Sequence, residues 1–202
     1  MNNKKMYGQA YVLNADEFKR VLKVASTGFY GKRDVLVLLF SFGLGLRAIE
    51  MSALKLFDVI DIDGKIIETV RLRRTKDQKP RNAFLTDKRL QKALLDYIED
   101  RKKLAERKRL VFSLNQPLFL SQKGSHFSNR TLAKLCKIIY ANAGIKATSH
   151  SGRRTFATNL IEQGIDIRAV QVLMGHENIN QTAKYVQANP ERLKRIVTNA
   201  LY

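Results

Sequence analysis

The stretch HSGRRTFATNLIEQGIDIRAVQVLMGH, residues 150–176, predicts two consecutive helices, each ended by a glycine. HSGRRTFATNLIEQ is stopped by Gly164, and DIRAVQVLM is stopped by Gly175. Glycine is common directly after a helix because it adopts the left-handed backbone conformation without a steric penalty. His150 and Arg153 are three residues apart, so on the first helix they share one face. The stretch therefore predicts a helical pair that presents a histidine and an arginine together.

A tyrosine follows the histidine at the end of this stretch. His176 and Tyr185 both lie in GHENINQTAKYVQ, where QTAKYVQ (181–187) predicts a short helix. This segment alone leaves two interpretations open: Tyr185 is an ordinary helical aromatic, or its hydroxyl is a nucleophile. The choice depends on whether the rest of the chain supplies the groups that a nucleophilic tyrosine needs.

The rest of the chain predicts further helices and one small hairpin. IIETVRLRR (66–74) alternates apolar and polar residues as a strand with one wet, basic face does, TKDQKPRN is the turn, and AFL is the returning strand. Further helices are predicted from Asn14, over 32–43, from Arg47, from Asp87 to about Lys108, and over 128–143 to a cap at Gly144. The expected fold class is α+β, mainly α-helical with one small antiparallel β-sheet.

Three parts of the chain are expected along its length. Residues 1–13 predict a flexible N-terminal arm, residues 14–188 one domain, and residues 189–202 a last, basic helix that opens with Asn189-Pro190. The apolar residues of this helix recur at helical spacing, so it packs either on its own domain or on a neighbouring protomer.

The charge of the chain indicates a polyanionic partner. Lys and Arg number 37 against 18 Asp and Glu, a net charge of +19. Nucleic acid fits this excess best, and an anionic membrane surface fits it less well because no basic amphipathic segment carries exposed aromatics. No apolar run approaches the ~18 residues of a membrane span. With a single cysteine, Cys136, and no secretory signal, the expected location is the cytoplasm.

Phosphoryl transfer on a nucleic-acid backbone needs charge neutralisation, which metal ions or guanidinium groups supply. The acids of this chain are dispersed, so we expect no metal site and no cofactor. Arg47, beside the glycines of GLGL, and Arg153 are candidates for a guanidinium clamp, since arginine donates two hydrogen bonds to phosphate and keeps its charge. The alternatives are a surface pair between Arg47 and Glu50, and a salt bridge of Arg153.

Other candidates have equally plain alternatives. Lys76, in the hairpin turn, is a candidate general acid with Lys79 as its competitor; either is otherwise a solvated turn lysine. His150 is otherwise a capping or core histidine. Cys136 lies on an apolar helix stripe, which favours a core position.

Taken together, these segments resemble the catalytic domain of the tyrosine recombinase (phage integrase) family. GLGLRAIEMSAL is similar to its first arginine box, with Arg47 and Glu50, and RLRRTKDQKPRN to its β-hairpin lysine, best aligned to Lys76. The stretch that ends in MGH is similar to the second box, and YVQ follows at the family's spacing for its nucleophile. Gly152 stands where the family usually has leucine, and Arg154 where histidine is common.

The resemblance implies a fold and a mechanism. The implied catalytic residues are Arg47, Lys76, His150, Arg153, His176 and Tyr185. Tyr185 attacks the scissile phosphate and forms a 3′-phosphotyrosyl bond, without metal or ATP. Arg47 and Arg153 hold the non-bridging oxygens, and His150 takes or shares the tyrosyl proton. Lys76 protonates the leaving 5′ oxygen, His176 bonds the phosphate and orients the tyrosine, and Glu50 supports the structure.

The resemblance also implies partners. Double-stranded DNA is the expected partner, contacted by basic side chains: Arg73, Arg74, Lys79, Arg81 and Arg154. The pattern starts near Asn14, so we expect no separate N-terminal DNA-clamping domain, as in short fimbrial-switch and mobile-element members. A homo-oligomer on DNA, from dimer to tetramer, the basic 71–109 segment, or a host recombinase would then grip the DNA. Alternatives are a type IB topoisomerase, an accessory DNA-binding protein, and a metal-dependent nuclease.

Overall fold

The computed structural model describes residues 10–73 and 80–186. Its elements are α1 (Ala15–Ser26), α2 (Gly31–Gly43), α3 (Ala48–Ala53), a 3-10 helix (Leu56–Asp58), β1 (Thr69–Leu72), β2 (Arg81–Phe84), α4 (Lys88–Arg107), α5 (Asn129–Asn142), α6 (Ser151–Glu162), α7 (Ile167–Met174) and α8 (Ile179–Ala183). Strands β1 and β2 pair antiparallel, from Thr69 opposite Phe84 to Leu72 opposite Arg81. The predicted α+β class is confirmed.

Capping side chains and glycines set the helix ends where the sequence predicts them. Asn14 and Glu17 form a capping box at α1, and the Asp87 carboxylate accepts from the first amides of α4. Gly144, Gly164 and Gly175 follow α5, α6 and α7 with φ of 70°, 87° and 58°. Each therefore takes the left-handed conformation that ends the preceding helix.

The last described helix differs from its prediction. The Asn178 side chain accepts from the amide of Asn180, so α8 starts at Ile179 and ends at Ala183. Tyr185 lies in the turn that follows, where its N–H donates to the carbonyl of Thr182 at 2.9 Å. The prediction of a helix over 181–187 is wrong because the asparagine cap starts the helix two residues earlier. Tyr185 is thus on a turn rather than within a helix.

Residues 10–13 lie against the domain. The Leu13 side chain is buried, and its N–H donates to Thr155 Oγ1 of α6 at 3.0 Å. The remainder of the expected N-terminal arm, the hairpin turn with Arg74, Lys76 and Lys79, and the expected helix 189–202 lie outside the described residues. No described helix is long and apolar enough to cross a membrane.

Two hydrophobic clusters hold the helices together. The larger one spans α1 to α5 and the hairpin, and the smaller one joins α6 and α7 through Ala157, Ile161, Val170 and Met174. Tyr185 packs on the smaller cluster. The nucleophile candidate therefore depends on the packing of α6 against α7.

Helix α6 approaches α2 closely at Gly152. A Cβ at this position would lie 2.3 Å from Ser41 Oγ and 2.9 Å from Phe42 Cδ2. A larger residue fits only if α2 or α6 moves, because packed interiors leave no room for an added carbon. The glycine in place of the family's usual leucine thus matches a close contact between the two helices.

Candidate active site

Side chains from separate parts of the chain line one cavity of about 480 Å³. Five of the six residues expected to be catalytic meet there: Arg47, His150, Arg153, His176 and Tyr185. The sixth, Lys76, lies outside the described residues. Arg47 and Tyr185 are 138 positions apart in the sequence, yet their side chains line the same cavity.

Arg153 is fixed by carbonyl groups at the back of the cavity. It is only 4% exposed, and its Nη1 donates to the Gly45 carbonyl at 2.5 Å while its Nη2 donates to the Met174 carbonyl. Burial, together with the charges of Arg47 and Arg81, lowers the pKa of Arg153 to about 9. The guanidinium remains charged at neutral pH, and its direction is set before any ligand arrives.

The Glu50 carboxylate accepts hydrogen bonds from two arginines. Its carboxylate accepts from the Arg47 N–H at 2.7 Å and from Arg47 Nη1 at 3.0 Å, and it pairs with Arg81 Nη2 at 2.8 Å. Burial pushes the pKa of Glu50 up, but the hydrogen bonds and charge of Arg81 and the Arg47 amide outweigh it and hold that pKa below its usual value. The carboxylate is therefore ionised. Its two hydrogen bonds with Arg47 restrain both the backbone and the guanidinium of that residue, and its supporting role in catalysis stays a prediction.

Arg81 was expected to contact DNA, and the structure buries it. Its side chain is 7% exposed, with Nη1 donating to the Leu173 carbonyl at 2.5 Å and Nη2 to the Gly45 carbonyl at 3.2 Å. It passes beneath Gly175, where a Cβ would lie 2.5 Å from Arg81 Cδ. The buried Arg81 side chain therefore links β2 to α3, through Glu50, and to α7, through Leu173.

Sequence reasoning missed this role of Arg81 because it uses partners 31 to 92 residues away. The turn TKDQKPRN, in which the sequence places Arg81, predicts a solvent-exposed arginine, whereas the structure has Arg81 as the first residue of β2. The glycine at position 175 could indicate that another side chain passes close to it. A glycine is expected there in any case, because it ends α7. The need for space beside Arg81 becomes visible only in three dimensions.

His176 lies between Arg153 and Tyr185. Its Nε2 is 3.2 Å from Arg153 Nη2, and its ring stacks on the Tyr185 ring with centroids 5.8 Å apart and planes at 19°. Partial burial and the charges of Arg153, Arg47 and Arg81 lower the pKa of His176 to about 4. The ring is therefore neutral at physiological pH.

His150 is the residue that precedes α6, with a backbone conformation near helical, and it is exposed to the cavity. Partial burial, then the charges of Arg153 and Arg47, lower the pKa of His150 below its usual value. A neutral imidazole has a lone pair that accepts a proton. The position and protonation state of His150 suit a general base.

Two of the remaining candidate DNA contacts, Arg154 and Arg73, lie within the described residues. Arg154 also lines the cavity, with its Cζ 6.0 Å from the Tyr185 ring centroid. Arg73 is exposed, pairs with Asp58 at 3.0 Å and lies over Phe57. Their contacts with DNA stay predictions.

Two further expectations concern a metal site and the position of Cys136. Within 10–73 and 80–186, no three His, Cys, Asp or Glu side chains are grouped to hold a metal ion. Cys136 is buried, as expected of a core residue, and burial raises the pKa of its thiol to about 12.

The sequence model of the Phage integrase family matches residues 11–192. The chain belongs to the phage integrase family. It is 33% identical over 184 residues to the tyrosine recombinase XerA of Thermococcus kodakarensis, an alignment that covers 91% of this chain and 60% of XerA. The chain thus spans about 60% of the length of these curated relatives, XerA of Thermococcus kodakarensis and two similar proteins.

Solved structures of phage integrase family members share this fold. The crystal structure of XerA recombinase matches with a TM-score of 0.73 and 27% identity, over 100% of this chain and 67% of that one. The XerH site-specific recombinase, solved with its difH substrate before cleavage, matches with a TM-score of 0.68 and 25% identity, over 95% and 54%. The expected tyrosine recombinase catalytic-domain fold is confirmed.

Proposed function

We propose that this chain is a site-specific DNA recombinase in which Tyr185 attacks a scissile phosphate. The observation that carries the proposal is the cavity itself, where the Tyr185 side chain shares one space with Arg47, Arg153 and a neutral His150. The relatives support it, since they are tyrosine recombinases, and the XerH site-specific recombinase was solved with its difH substrate. The products of the first step are a 3′-phosphotyrosyl bond and a free 5′-hydroxyl.

Each residue has a part in the reaction that follows from its charge and protonation state. The Tyr185 hydroxyl oxygen forms a bond to phosphorus as its proton passes to His150. Arg47 and Arg153 stabilise the negative charge that grows on the non-bridging oxygens. The bond from phosphorus to the 5′ oxygen breaks, and Lys76 supplies the proton to that oxygen. The phosphodiester energy stays in the phosphotyrosyl bond, so a second 5′-hydroxyl reverses the attack and completes strand exchange.

Unpaired positive charge supports duplex DNA as the substrate. Between Glu106 and Glu162 the sequence has no acidic residue but contains ten basic ones: Arg107, Lys108, Arg109, Lys123, Arg130, Lys134, Lys137, Lys146, Arg153 and Arg154. Exposed basic residues recur along α5 at one-turn spacing, at positions 130, 134 and 137. Before Glu106 in the basic 71–109 segment, by contrast, Lys92, Lys103 and Arg89 pair with neighbouring carboxylates. We therefore assign more of the phosphate contact to residues 107–154.

A recombinase joins two DNA sites, which requires more than one protomer. We propose that the chain acts as a homo-oligomer on DNA, and a host recombinase is a further candidate partner. In this proposal the expected helix 189–202 docks on a neighbouring protomer.

The test is covalent trapping on DNA. Duplexes selected for binding from a randomised pool are nicked next to the mapped cleavage point, so that the short 5′-hydroxyl fragment diffuses away and traps the intermediate. In EDTA we expect a denaturation-resistant protein–DNA adduct with the wild type and none with Tyr185→Phe. Tyr30→Phe is the matched control, because Tyr30 is also a partly exposed tyrosine beside an arginine, with Arg33 Cζ 4.3 Å from its ring centroid.

Three results contradict the proposal. An adduct that survives Tyr185→Phe assigns the nucleophile elsewhere, and strand cleavage that requires magnesium and leaves no adduct indicates a metal-dependent nuclease. Sequence-specific binding without any adduct indicates an accessory DNA-binding protein.

A further inference from the structure

Thr182 contacts two residues of the candidate active site, His176 and Tyr185. Its Oγ1 lies 2.8 Å from His176 Nδ1, and its backbone carbonyl accepts from the Tyr185 N–H at 2.9 Å. The residue is fully buried, at 0% exposure. The mechanism above gives it no part, yet it is the last buried side chain of α8 before the nucleophile candidate.

The neighbours of His176 determine where its single ring hydrogen lies. A guanidinium only donates hydrogen bonds, so the nitrogen that faces Arg153 Nη2 at 3.2 Å must carry the lone pair. That nitrogen is Nε2. In the neutral ring the hydrogen is therefore on Nδ1, which donates to Thr182 Oγ1. The opposite tautomer would direct two donors at each other.

We propose that Thr182 is a positioning residue, whose hydroxyl fixes the tautomer and the plane of His176 and, through that ring, the placement of Arg153 and Tyr185. This inference rests on the proposed function and deepens it. The stacked geometry carries the effect to Tyr185, and the bond to Nε2 carries it to Arg153. In this arrangement His176 holds the arginine and the tyrosine ring.

Two substitutions separate the hydroxyl from the shape of the side chain. Thr182→Val keeps the volume and removes the acceptor, while Thr182→Ser keeps the acceptor. A buried N–H without a partner is costly, so we expect Thr182→Val to slow single-turnover cleavage of the nicked duplex by about 10- to 100-fold. DNA affinity should stay within about twofold of wild type, since Thr182 is buried away from solvent. Thr182→Ser should cleave within about threefold of wild type.

A double-mutant cycle decides whether Thr182 acts through His176. His176→Phe keeps a ring that stacks on Tyr185 but has no nitrogen for Thr182 to bind. In that background we expect Thr182→Val to cause no further loss of cleavage rate. An equal loss in both backgrounds, or Thr182→Ser as slow as Thr182→Val, would overturn the inference.

Nitrogen NMR of histidine-labelled protein tests the same claim without any cleavage. We expect hydrogen on Nδ1 of His176 in the wild type and in Thr182→Ser, and a shifted tautomer population in Thr182→Val. Hydrogen on Nε2 in the wild type overturns the inference even if cleavage proceeds as proposed. A wild type that binds DNA but forms no adduct overturns the proposed function, and the spectra still decide the tautomer.

Discussion

Replacement of Arg81 tests the buried network behind the cavity. Arg81→Met keeps the length of the side chain and removes its donors to Glu50, Leu173 and Gly45. Glu50, with a side chain 5% exposed, then keeps Arg47 as its remaining charged partner. Removal of one partner from a buried ion pair costs about 3–5 kcal/mol of unfolding free energy. For a domain of this size that lowers the melting temperature by roughly 6–20 °C.

Thermal and urea unfolding of a matched pair of variants measures this effect. Arg89→Met is the control, because Arg89 pairs with Asp87 at the same 2.8 Å but its side chain is 90% exposed. We expect no measurable change there, since solvent screens exposed pairs. Adding Glu50→Gln to Arg81→Met should restore part of the loss by removing the under-paired charge. Equal melting temperatures for Arg81→Met and Arg89→Met would refute the assignment of Arg81 to a buried supporting role.

Three further predictions follow from contacts of α6 and His176. Gly152→Ala should lower the unfolding free energy by about 1–3 kcal/mol through overpacking on Ser41, with partial recovery in Ser41→Gly; unchanged urea midpoints would contradict the close contact. Stability should fall as pH drops from about 6.5 towards 4, because the unfolded chain takes up a proton that folded His176 excludes. His176→Phe should flatten that part of the pH profile of urea midpoints, and an unchanged slope would refute it. Arg153→Lys should reduce adduct formation by about 10²- to 10³-fold, since lysine has no planar fork to span two carbonyls and a phosphate; wild-type rates would count against the clamp.

Local signals in the sequence predict most of the fold. Asn14, Asp87 and Gly164 act within a few residues of themselves, so their patterns locate helix ends directly. The prediction for α8 fails because the cap residue Asn178 precedes the stretch QTAKYVQ, over which the helix was predicted. Cap chemistry therefore places the start of that helix.

The residues of the site likewise fall into those that the sequence identifies and those that only the structure identifies. Resemblance to a family identifies residues such as Arg47 and Arg153, which the structure brings to one cavity. It does not identify the buried role of Arg81 or the role of Thr182, which come from hydrogen bonds to groups elsewhere in the chain or across a turn. Such contacts leave no periodicity or composition in the sequence, so only coordinates reveal them.

Mapping the covalent attachment tests the central claim most directly. The trapped adduct is digested with nuclease and trypsin, and the peptide that retains a nucleotide is identified by mass spectrometry. Cleavage after Lys184 and Arg192 places Tyr185 as the only tyrosine of the peptide YVQANPER, residues 185–192. We predict that this peptide carries the nucleotide on Tyr185. A nucleotide on any other peptide would contradict the account of the cavity as the site of phosphotyrosyl formation.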